Sequence, residues 1–249
     1  MFSYQLYSSR NFPPLSEVLV MLAKAGYQGV EGYGELYANS ASLLHLAEAL
    51  HTSGLVMPSG HFDLEQVEDS PNWVLTVAKT LGMQTVVVPW LEPHQRPKDA
   101  RGWWELGTRL QAASAPLRAE GLNFAWHNHD FEFVKTPEGV IPQEALLEGG
   151  PGLKWEMDVA WVIKGGEDPL AWIAAHGHRL VAAHVKDIAP AGQNPDEEGW
   201  ADVGHGTVDW KTILAALRAV GVSNFIMEHD NPSDDARFAR RALVSVKSY

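Results

Sequence analysis

The sequence predicts a (β/α)₈ barrel, and three observations support this fold class. The chain has 249 residues, of which 45% are hydrophobic, and such barrels form one domain at this size. A unit of helix, glycine and β-rich run recurs along the chain. Ionisable residues end most of the predicted strands, as they do where strand ends build a site at the mouth of a barrel. We therefore expect residues 1–249 to form a single α/β barrel domain.

The recurring unit is most regular in the first third of the chain. Helical faces of apolar residues stop at Gly26, Gly54 and Gly82, and a β-rich run follows each glycine at once. Glycine just past the last helical turn readily adopts the left-handed conformation that ends a helix. These glycines are 28 residues apart (54 − 26 and 82 − 54), close to the length of one βα unit. Later helices are expected to end in the same way at 119–121, 176–177 and 219–221.

Eight strands are predicted from these units. They are rich in Val and Ile without clean alternation, which is typical of strands buried on both faces of a parallel sheet. The predicted strands cover residues 3–7, 27–33, 55–61, 83–90, 122–128, 153–161, 179–185 and 222–229. No G-x-G-x-x-G motif follows any of them, so the sequence lacks the signature of an open dinucleotide-binding sheet. Eight βα units indicate a closed barrel instead.

Two long loops are expected on the face of the barrel that carries the site. Residues 91–102 and 188–210 are too polar and too rich in Pro and Gly to be core elements. They follow the fourth and seventh predicted strands, so they lie at the C-terminal ends of the strands, where barrel enzymes build their active sites.

Charge and cysteine content exclude several classes of function. The net charge is −12 and no cluster of Lys and Arg occurs, which argues against a nucleic-acid partner. The absence of cysteine excludes disulfides and thiol nucleophiles, so any metal must bind oxygen and nitrogen ligands. The first ten residues do not resemble a signal peptide, and no apolar run approaches the roughly 20 residues of a membrane span. We therefore expect a cytoplasmic protein without a membrane partner.

Polar side chains at the strand ends are the main functional signal. Six of the eight strands end in ionisable groups: Glu31; His61 and Asp63; His127, His129 and Glu132; Asp158; His184, Lys186 and Asp187; and Glu228, His229 and Asp230. Strand ends converge at one mouth in a barrel, and carboxylates with imidazoles are natural ligands for a divalent metal. Two of these residues have structural alternatives, since Asp158 could cap a helix and Asp187 could cap a loop. A Trp at a strand end, such as Trp161, could stack on a sugar or pack in the core.

Several segments resemble one known family. These segments are WHNHDFEF at 126–133, EMDVAW at 156–161, AHVKDI at 183–188, VGHGTVDW at 203–210 and MEHD at 227–230. They resemble the xylose-isomerase-like TIM-barrel superfamily, and within it the sugar phosphate isomerase/epimerase group. The resemblance runs from the second strand to the eighth. It implies a TIM barrel of the AP endonuclease family 2 fold that binds one divalent metal, Mn, Mg, Co or Zn.

The resemblance also implies a set of metal ligands. Family members hold the metal with residues from strands five to eight, and Asp158, His184 and Glu228 match the last three positions. Characterised epimerases have a Glu at the end of strand five, where this chain has His127, with Glu132 five residues further on. We favour Glu132 as the fourth ligand, with a strand-five histidine as the alternative.

The same resemblance implies roles in catalysis. Family epimerases move the proton next to the substrate carbonyl with glutamates from strands five and eight, through a metal-bound enediolate. Here Glu228 and a strand-five group are expected to move the proton, and that group is His127 or His129 if Glu132 does not reach the site. Lys186 is expected to stabilise the enediolate oxygen or to hold a polar substituent. The residues expected to contact the substrate are Glu31, His61 and Trp161.

The predicted activity is isomerisation or epimerisation of a ketose or keto-polyol. Two alternatives use the same mouth: a dehydratase of a keto-polyol, and a non-catalytic sugar-binding barrel. DNA cleavage of the endonuclease IV type is not expected, because Trp161 stands where those enzymes need a zinc-binding histidine, and Asp202 and His205 have the wrong spacing. The lack of a Gly-rich phosphate cradle favours a substrate without phosphate. The sugar is not identified, and the oligomeric state, a homo-oligomer included, stays open.

Overall fold

The computed structural model describes residues 1–249 and confirms the predicted closed barrel. Its strands are β1 (Phe2–Gln5), β2 (Gly29–Gly32), β3 (Val56–His61), β4 (Thr85–Val88), β5 (Asn123–His127), β6 (Lys154–Asp158), β7 (Leu180–Val185) and β10 (Phe225–Met227). All neighbouring strands are parallel, and the barrel closes where β1 pairs with both β2 and β10. In that register Tyr4 lies opposite Val30 on one side and Met227 on the other.

Eleven helices connect or follow the strands. They are α1 (Leu15–Ala25), α2 (Ser40–Ser53), α3 (Leu64–Asp69), α4 (Pro71–Leu81), α5 (Ala100–Ala113), α6 (Ala115–Ala119), α7 (Pro142–Gly149), α8 (Val159–Lys164), α9 (Pro169–His176), α10 (Trp210–Ala219) and α11 (Asp235–Lys247). Their apolar faces and the strands form one hydrophobic core cluster of 57 buried residues. None of the helices combines the length and the apolar character needed to cross a bilayer.

The helix-ending glycines behave as predicted at three early positions. Gly26, Gly54 and Gly82 have φ angles of 98°, 73° and 73°, in the left-handed region that side chains disfavour. At 176–177 the helix ends as predicted, but the left-handed conformation is wrong there, because Gly177 has φ −52° and begins a 3₁₀ turn. Close packing accounts for this glycine, since a Cβ atom there would lie 2.7 Å from the side chain of Val220.

The sixth and seventh units differ from prediction at the C-terminal ends of their strands. Strand β6 stops at Asp158 rather than at Trp161, because the Asp158 carboxylate accepts a 2.9 Å hydrogen bond from the Trp161 backbone N–H and starts α8. The long loop after β7 contains an antiparallel pair, β8 (Asp187–Ile188) and β9 (Trp200–Ala201). Both the start of α8 and the β8–β9 pair lie at the C-terminal ends of the strands, where they form part of the mouth of the barrel.

Candidate functional site

Most of the ionisable residues predicted at the strand ends lie together and are buried at the mouth. Those with no more than 9% exposure are Glu31, His61, His127, Glu132, Asp158, His184, Lys186, Asp187, Glu228 and His229, and Glu156, which was not predicted, is buried among them. His129 and Trp161 are half-buried beside them. Burial of so many charged groups is costly unless they are paired or bind a metal, so their partners decide what the site can do.

One group of four side chains has the arrangement of a metal site. His127, Asp158, His184 and Glu228 each offer a donor atom, and these atoms all lie within 4.8 Å of one another. Nδ1 of His184 is 2.9 Å from Oε2 of Glu228. Metal–donor bonds of about 2.1 Å place neighbouring donors about 3 Å apart in octahedral geometry, so this spacing suits a divalent ion.

Unpartnered atoms in the same group support this fit. Oδ2 of Asp158 and Nδ1 of His127 are buried without a hydrogen-bond partner, although Nζ of Lys186 lies 3.4 Å from the former. Nδ1 of His127 lies 3.3 Å from Oε1 of Glu156, but the pair lacks the alignment of a hydrogen bond. Buried polar atoms in proteins are almost always satisfied, so these two leave room for an additional partner.

Glu31 accepts a hydrogen bond from His184 and so fixes the orientation of this ring in the metal group. Its Oε1 accepts hydrogen bonds from Nε2 of His184 at 2.7 Å and from Nε2 of Gln5 at 2.8 Å, and its Oε2 accepts one from Ser59. With Nε2 of His184 donating to Glu31, Nδ1 of the same ring faces Glu228, and it is the nitrogen that would bind a metal after losing its proton. The sequence predicts that Glu31 contacts substrate, but its carboxylate is fully buried beneath the histidines.

Glu156 is a site residue that was not predicted from the sequence. Its Oε1 lies 2.9 Å from Nε2 of His61 and 3.1 Å from Nε2 of His184, and its Oε2 is buried without a partner. His61, His127, Glu156 and His184 form a second group whose donors could hold a metal. The period of two along a strand gave the signal, because Glu156 and Asp158 on β6 point to the same face.

The charges of these groups shift the pKa values of the histidines in opposite directions. Burial lowers the pKa of His61, but the charge of Glu31 and the hydrogen bond to Glu156 raise it to about 9. His184 has a pKa raised well above the ordinary value by Glu228 and Glu156, against its burial. Burial and the neighbouring His184 charge instead hold the pKa of His127 well below the ordinary value. His127 is therefore a neutral imidazole, the form that binds metals.

Lys186 supplies the permanent positive charge of the site. Its Nζ lies 2.8 Å from Glu228, 2.7 Å from Asp230 and 3.4 Å from Asp158. Burial alone would raise the pKa of Glu228, but Lys186 and His184 hold it well below its ordinary value. Burial raises the pKa of Asp158 to about 6, although Lys186 opposes the shift. Glu228 is therefore ionised at neutral pH.

Glu132 is not brought together with the other predicted ligands. Its Oε1 accepts a 3.0 Å hydrogen bond from the Trp126 indole, and its Oε2 accepts a 2.9 Å bond from the backbone N–H of His129. Burial raises the pKa of Glu132 to about 8, although both hydrogen bonds oppose this. The carboxylate closes the turn after β5, and His127 occupies the strand-five place in the metal group.

Asn128 and Asp187 hold the backbone around the site. Asn128 accepts hydrogen bonds from the Trp155 indole at 2.8 Å and from the Asp158 N–H at 3.0 Å, which ties β5 to β6. The Asp187 carboxylate accepts four backbone N–H groups, those of Ile188, Gly204, Gly206 and Val208. Asp187 is thus a loop cap, the structural alternative that its position in the sequence allowed.

Four aromatic side chains, Trp90, His129, Trp161 and Trp200, form an aromatic wall beside the metal group. The His129 ring lies between Trp90 and Trp161, with centroid distances of 4.8 Å and 5.4 Å, and Trp161 meets Trp200 edge-on at 4.9 Å. Burial, and then the charge of Lys186, lowers the pKa of His129 to about 3. Trp90 retains 39% exposure, so the wall offers an accessible apolar surface next to charged groups.

Comparison with known proteins identifies a family and one curated relative. The sequence profile described as xylose isomerase-like TIM barrel matches residues 19–246. The rhizopine catabolism protein MocC of Rhizobium meliloti is 25% identical over 244 residues, which span 86% of this chain and 74% of MocC.

Several solved structures have the same fold as this chain. A sugar phosphate isomerase/epimerase from Parabacteroides distasonis has a TM-score of 0.81 at 18% identity, covering 98% of this chain and 92% of its own. The probable 3-DHS dehydratase AsbF from Bacillus anthracis has a TM-score of 0.80 at 14% identity, covering 99% and 98%. The IOLI protein with a binding zinc atom has a TM-score of 0.71 at 19% identity, covering 99% and 95%.

Proposed function

We propose that this chain, which belongs to the xylose isomerase-like TIM barrel family, is a divalent-metal-dependent isomerase or epimerase of a ketose or keto-polyol. The observation that carries the proposal is the buried convergence of His127, Asp158, His184 and Glu228 at the mouth of the barrel. The solved sugar phosphate isomerase/epimerase with the same fold supports the class of reaction.

The proposed ligands are His127, Asp158, His184 and Glu228, with His127 in place of Glu132. Mn, Mg, Co and Zn all suit this mixture of carboxylates and imidazoles, and the related IOLI protein contains zinc. When bound, such an ion polarises a carbonyl and makes the adjacent C–H more acidic. Glu31 keeps His184 oriented toward the ion, which is the role we assign to it in place of substrate contact.

The proton-transfer groups that we propose are Glu228 and His129. Glu228 is ionised beside Lys186, so it can accept a proton. His129 is a neutral imidazole in the aromatic wall and too weak a base to hold a proton, so we propose that it relays one on the strand-five side. Lys186 keeps Glu228 charged and stabilises negative charge that develops on the substrate oxygen. His61 and Trp161 are proposed to contact the hydroxyl groups and the C–H face of the sugar.

Dehydration of a keto-polyol is the second candidate. It is favoured by a strand-five ligand that is histidine rather than glutamate, and by the similar fold of the AsbF dehydratase. Both reactions start with loss of the same acidic proton, and they differ in the fate of the neighbouring hydroxyl group. Isomerisation keeps the mass of the substrate, whereas dehydration lowers it by one water.

The experiment that tests the proposal uses metal-loaded and EDTA-treated protein with a panel of ketohexoses and cyclic keto-polyols. Proton NMR in D₂O should show metal-dependent exchange of a substrate C–H for deuterium, and mass spectrometry distinguishes isomerisation from dehydration. Full turnover after EDTA treatment would contradict the metal roles. Binding without exchange or turnover across the panel would instead support the non-catalytic sugar-binding barrel.

A further inference from the structure

Lys164 is a cation at the mouth without a carboxylate partner. It is the last residue of α8, and its Nζ lies 3.7 Å from the ring centroid of Trp200 and 4.9 Å from that of Trp161. Trp161 precedes it by three residues, so both side chains share one face of the helix. Lys164 is exposed and forms no direct ion pair or hydrogen bond within the protein. Its nearest contacts are the two indole rings, and the charges of Asp230 and Asp130 act on it from further away.

Lys186 is a useful comparison with Lys164, because it contacts the same two tryptophan rings but is paired with carboxylates. Its Nζ contacts the same two rings, at 4.8 Å from Trp200 and 5.2 Å from Trp161, but three carboxylates neutralise it. Trp200 therefore has two lysine ammonium groups within 5 Å of its ring centroid, and only that of Lys186 is paired with carboxylates. Because Lys186 also contacts Glu228, this pair of rings borders the metal group directly.

Trp161 supplies a second donor without an acceptor. Its indole Nε1 is buried and has no hydrogen-bond partner. Buried donors are rarely left unsatisfied, so an acceptor from outside the chain is expected here. An exposed ammonium and a buried indole N–H on the same helix, neither with an acceptor in the protein, suit an oxygen-rich, negatively charged group.

We propose that Lys164, Trp161 and Trp200 form a subsite for an anionic substituent of the substrate, a carboxylate or a phosphate. The inference rests on the proposed function, since it assumes that the mouth binds a sugar derivative. It goes further by fixing the orientation of the substrate. With the charged end of the substrate bound at Lys164, the carbonyl end faces Asp158, His184 and Glu228, where the metal is proposed to bind.

The test uses three six-carbon polyols that differ mainly in charge: D-glucitol, D-gluconate and D-glucitol 6-phosphate. Each is titrated into Mg²⁺-loaded protein labelled with 5-fluorotryptophan, and ¹⁹F NMR follows Trp161 and Trp200, assigned with Trp161→Phe and Trp200→Phe. We expect an anionic polyol to shift both resonances with a Kd at least about tenfold below that of D-glucitol, equivalent to about 1.4 kcal/mol. The tighter of the two anions identifies carboxylate or phosphate as the preferred group.

Matched variants assign the effect to Lys164. Lys164→Met should remove the preference for the anion and leave D-glucitol binding unchanged, whereas Lys164→Arg should keep the preference. Lys24→Met, at an exposed position on α1, controls for the loss of one positive charge. The subsite is overturned if Lys164→Met keeps the preference or if no polyol shifts the two resonances. Metal-dependent C–H exchange on neutral ketoses is measured separately, so the proposed function can survive that failure.

Discussion

Nδ1 of His184 lies 2.9 Å from Oε2 of Glu228, while Nε2 of the same ring lies 2.7 Å from Oε1 of Glu31. One imidazole thus connects a carboxylate on β2 with a carboxylate at the end of β10, across the inside of the barrel. The Glu31 contact holds Nε2 as a donor, so Nδ1 is the nitrogen that would form a ligand bond after losing its proton. Glu31 therefore acts on the metal group through His184, although it does not belong to that group itself.

Glu31→Gln should weaken metal binding without unfolding the protein. A glutamine amide cannot accept hydrogen bonds from His184, Gln5 and Ser59 as the carboxylate does, so the His184 ring loses its fixed orientation. Loss of such an orienting partner typically lowers metal affinity by about 10- to 100-fold. Calorimetric titration with Mn²⁺ or Zn²⁺ measures the change, and exposed Glu35→Gln is the control for charge. Equal affinities for the two variants would argue against the orienting role.

Asp158→Asn should abolish most of the metal affinity while keeping the start of α8. The asparagine oxygen can still accept the Trp161 N–H, so the helix cap survives, but the negative charge is lost. We expect metal affinity to fall by about 100-fold or more. Asp168→Asn is the matched control, because Asp168 caps α9 through its Oδ1 in the same way and lies outside the metal group. Circular dichroism should show both variants folded, and a similar metal loss in both would contradict the prediction.

His127 and Glu132 make opposite predictions for the strand-five ligand. His127→Gln should lower metal affinity by about 100-fold, because this side chain lies in the four-membered donor group. Glu132→Gln should keep affinity within about threefold, since both carboxylate oxygens accept hydrogen bonds from the turn after β5. Equilibrium dialysis followed by metal analysis measures both variants. A larger loss for Glu132→Gln would return Glu132 to the ligand set.

The sequence predicted the barrel well because its signals are local. Helical faces ending in glycine and buried strands repeat with nearly one period, and the closed order of eight strands follows from that repeat. The convergence of Asp158, His184 and Glu228 also followed, since strand ends meet at one mouth of a barrel. Topology alone was sufficient for these residues.

The sequence could not decide side-chain direction in the turn after β5. Glu132 and His127 were both within reach of the mouth, and their places depend on hydrogen bonds to Trp126 and to the His129 backbone. The same limit applies to Glu31, whose burial under the histidines depends on contacts between distant strands. Glu156 was predictable in principle, because its spacing of two residues from Asp158 places it on the same face of β6.

Ion pairs fasten the loop after β7 to α11. Arg237 donates to Glu197 at 2.7 Å and to Asp202 at 3.0 Å, and Arg241 donates to Asp202 at 2.8 Å. Burial opposes ionisation of Glu197, but hydrogen bonds from Ser233 and Arg237 lower its pKa to about 2. Arg237→Met should therefore destabilise the protein at pH 7 by on the order of 1–3 kcal/mol.

The pH dependence of that loss follows from the depressed pKa of Glu197. A carboxyl whose folded pKa of about 2 lies below the ordinary 4.5 stabilises the fold above pH 4.5, and this contribution disappears as the pH falls toward 2. The free-energy difference between wild type and Arg237→Met, measured by urea unfolding, should thus narrow between about pH 5 and pH 3. Arg240→Met, at an exposed position on the same helix, should show little destabilisation at either pH. A difference that stays constant over this range would show that Glu197 does not stabilise the fold through its charge.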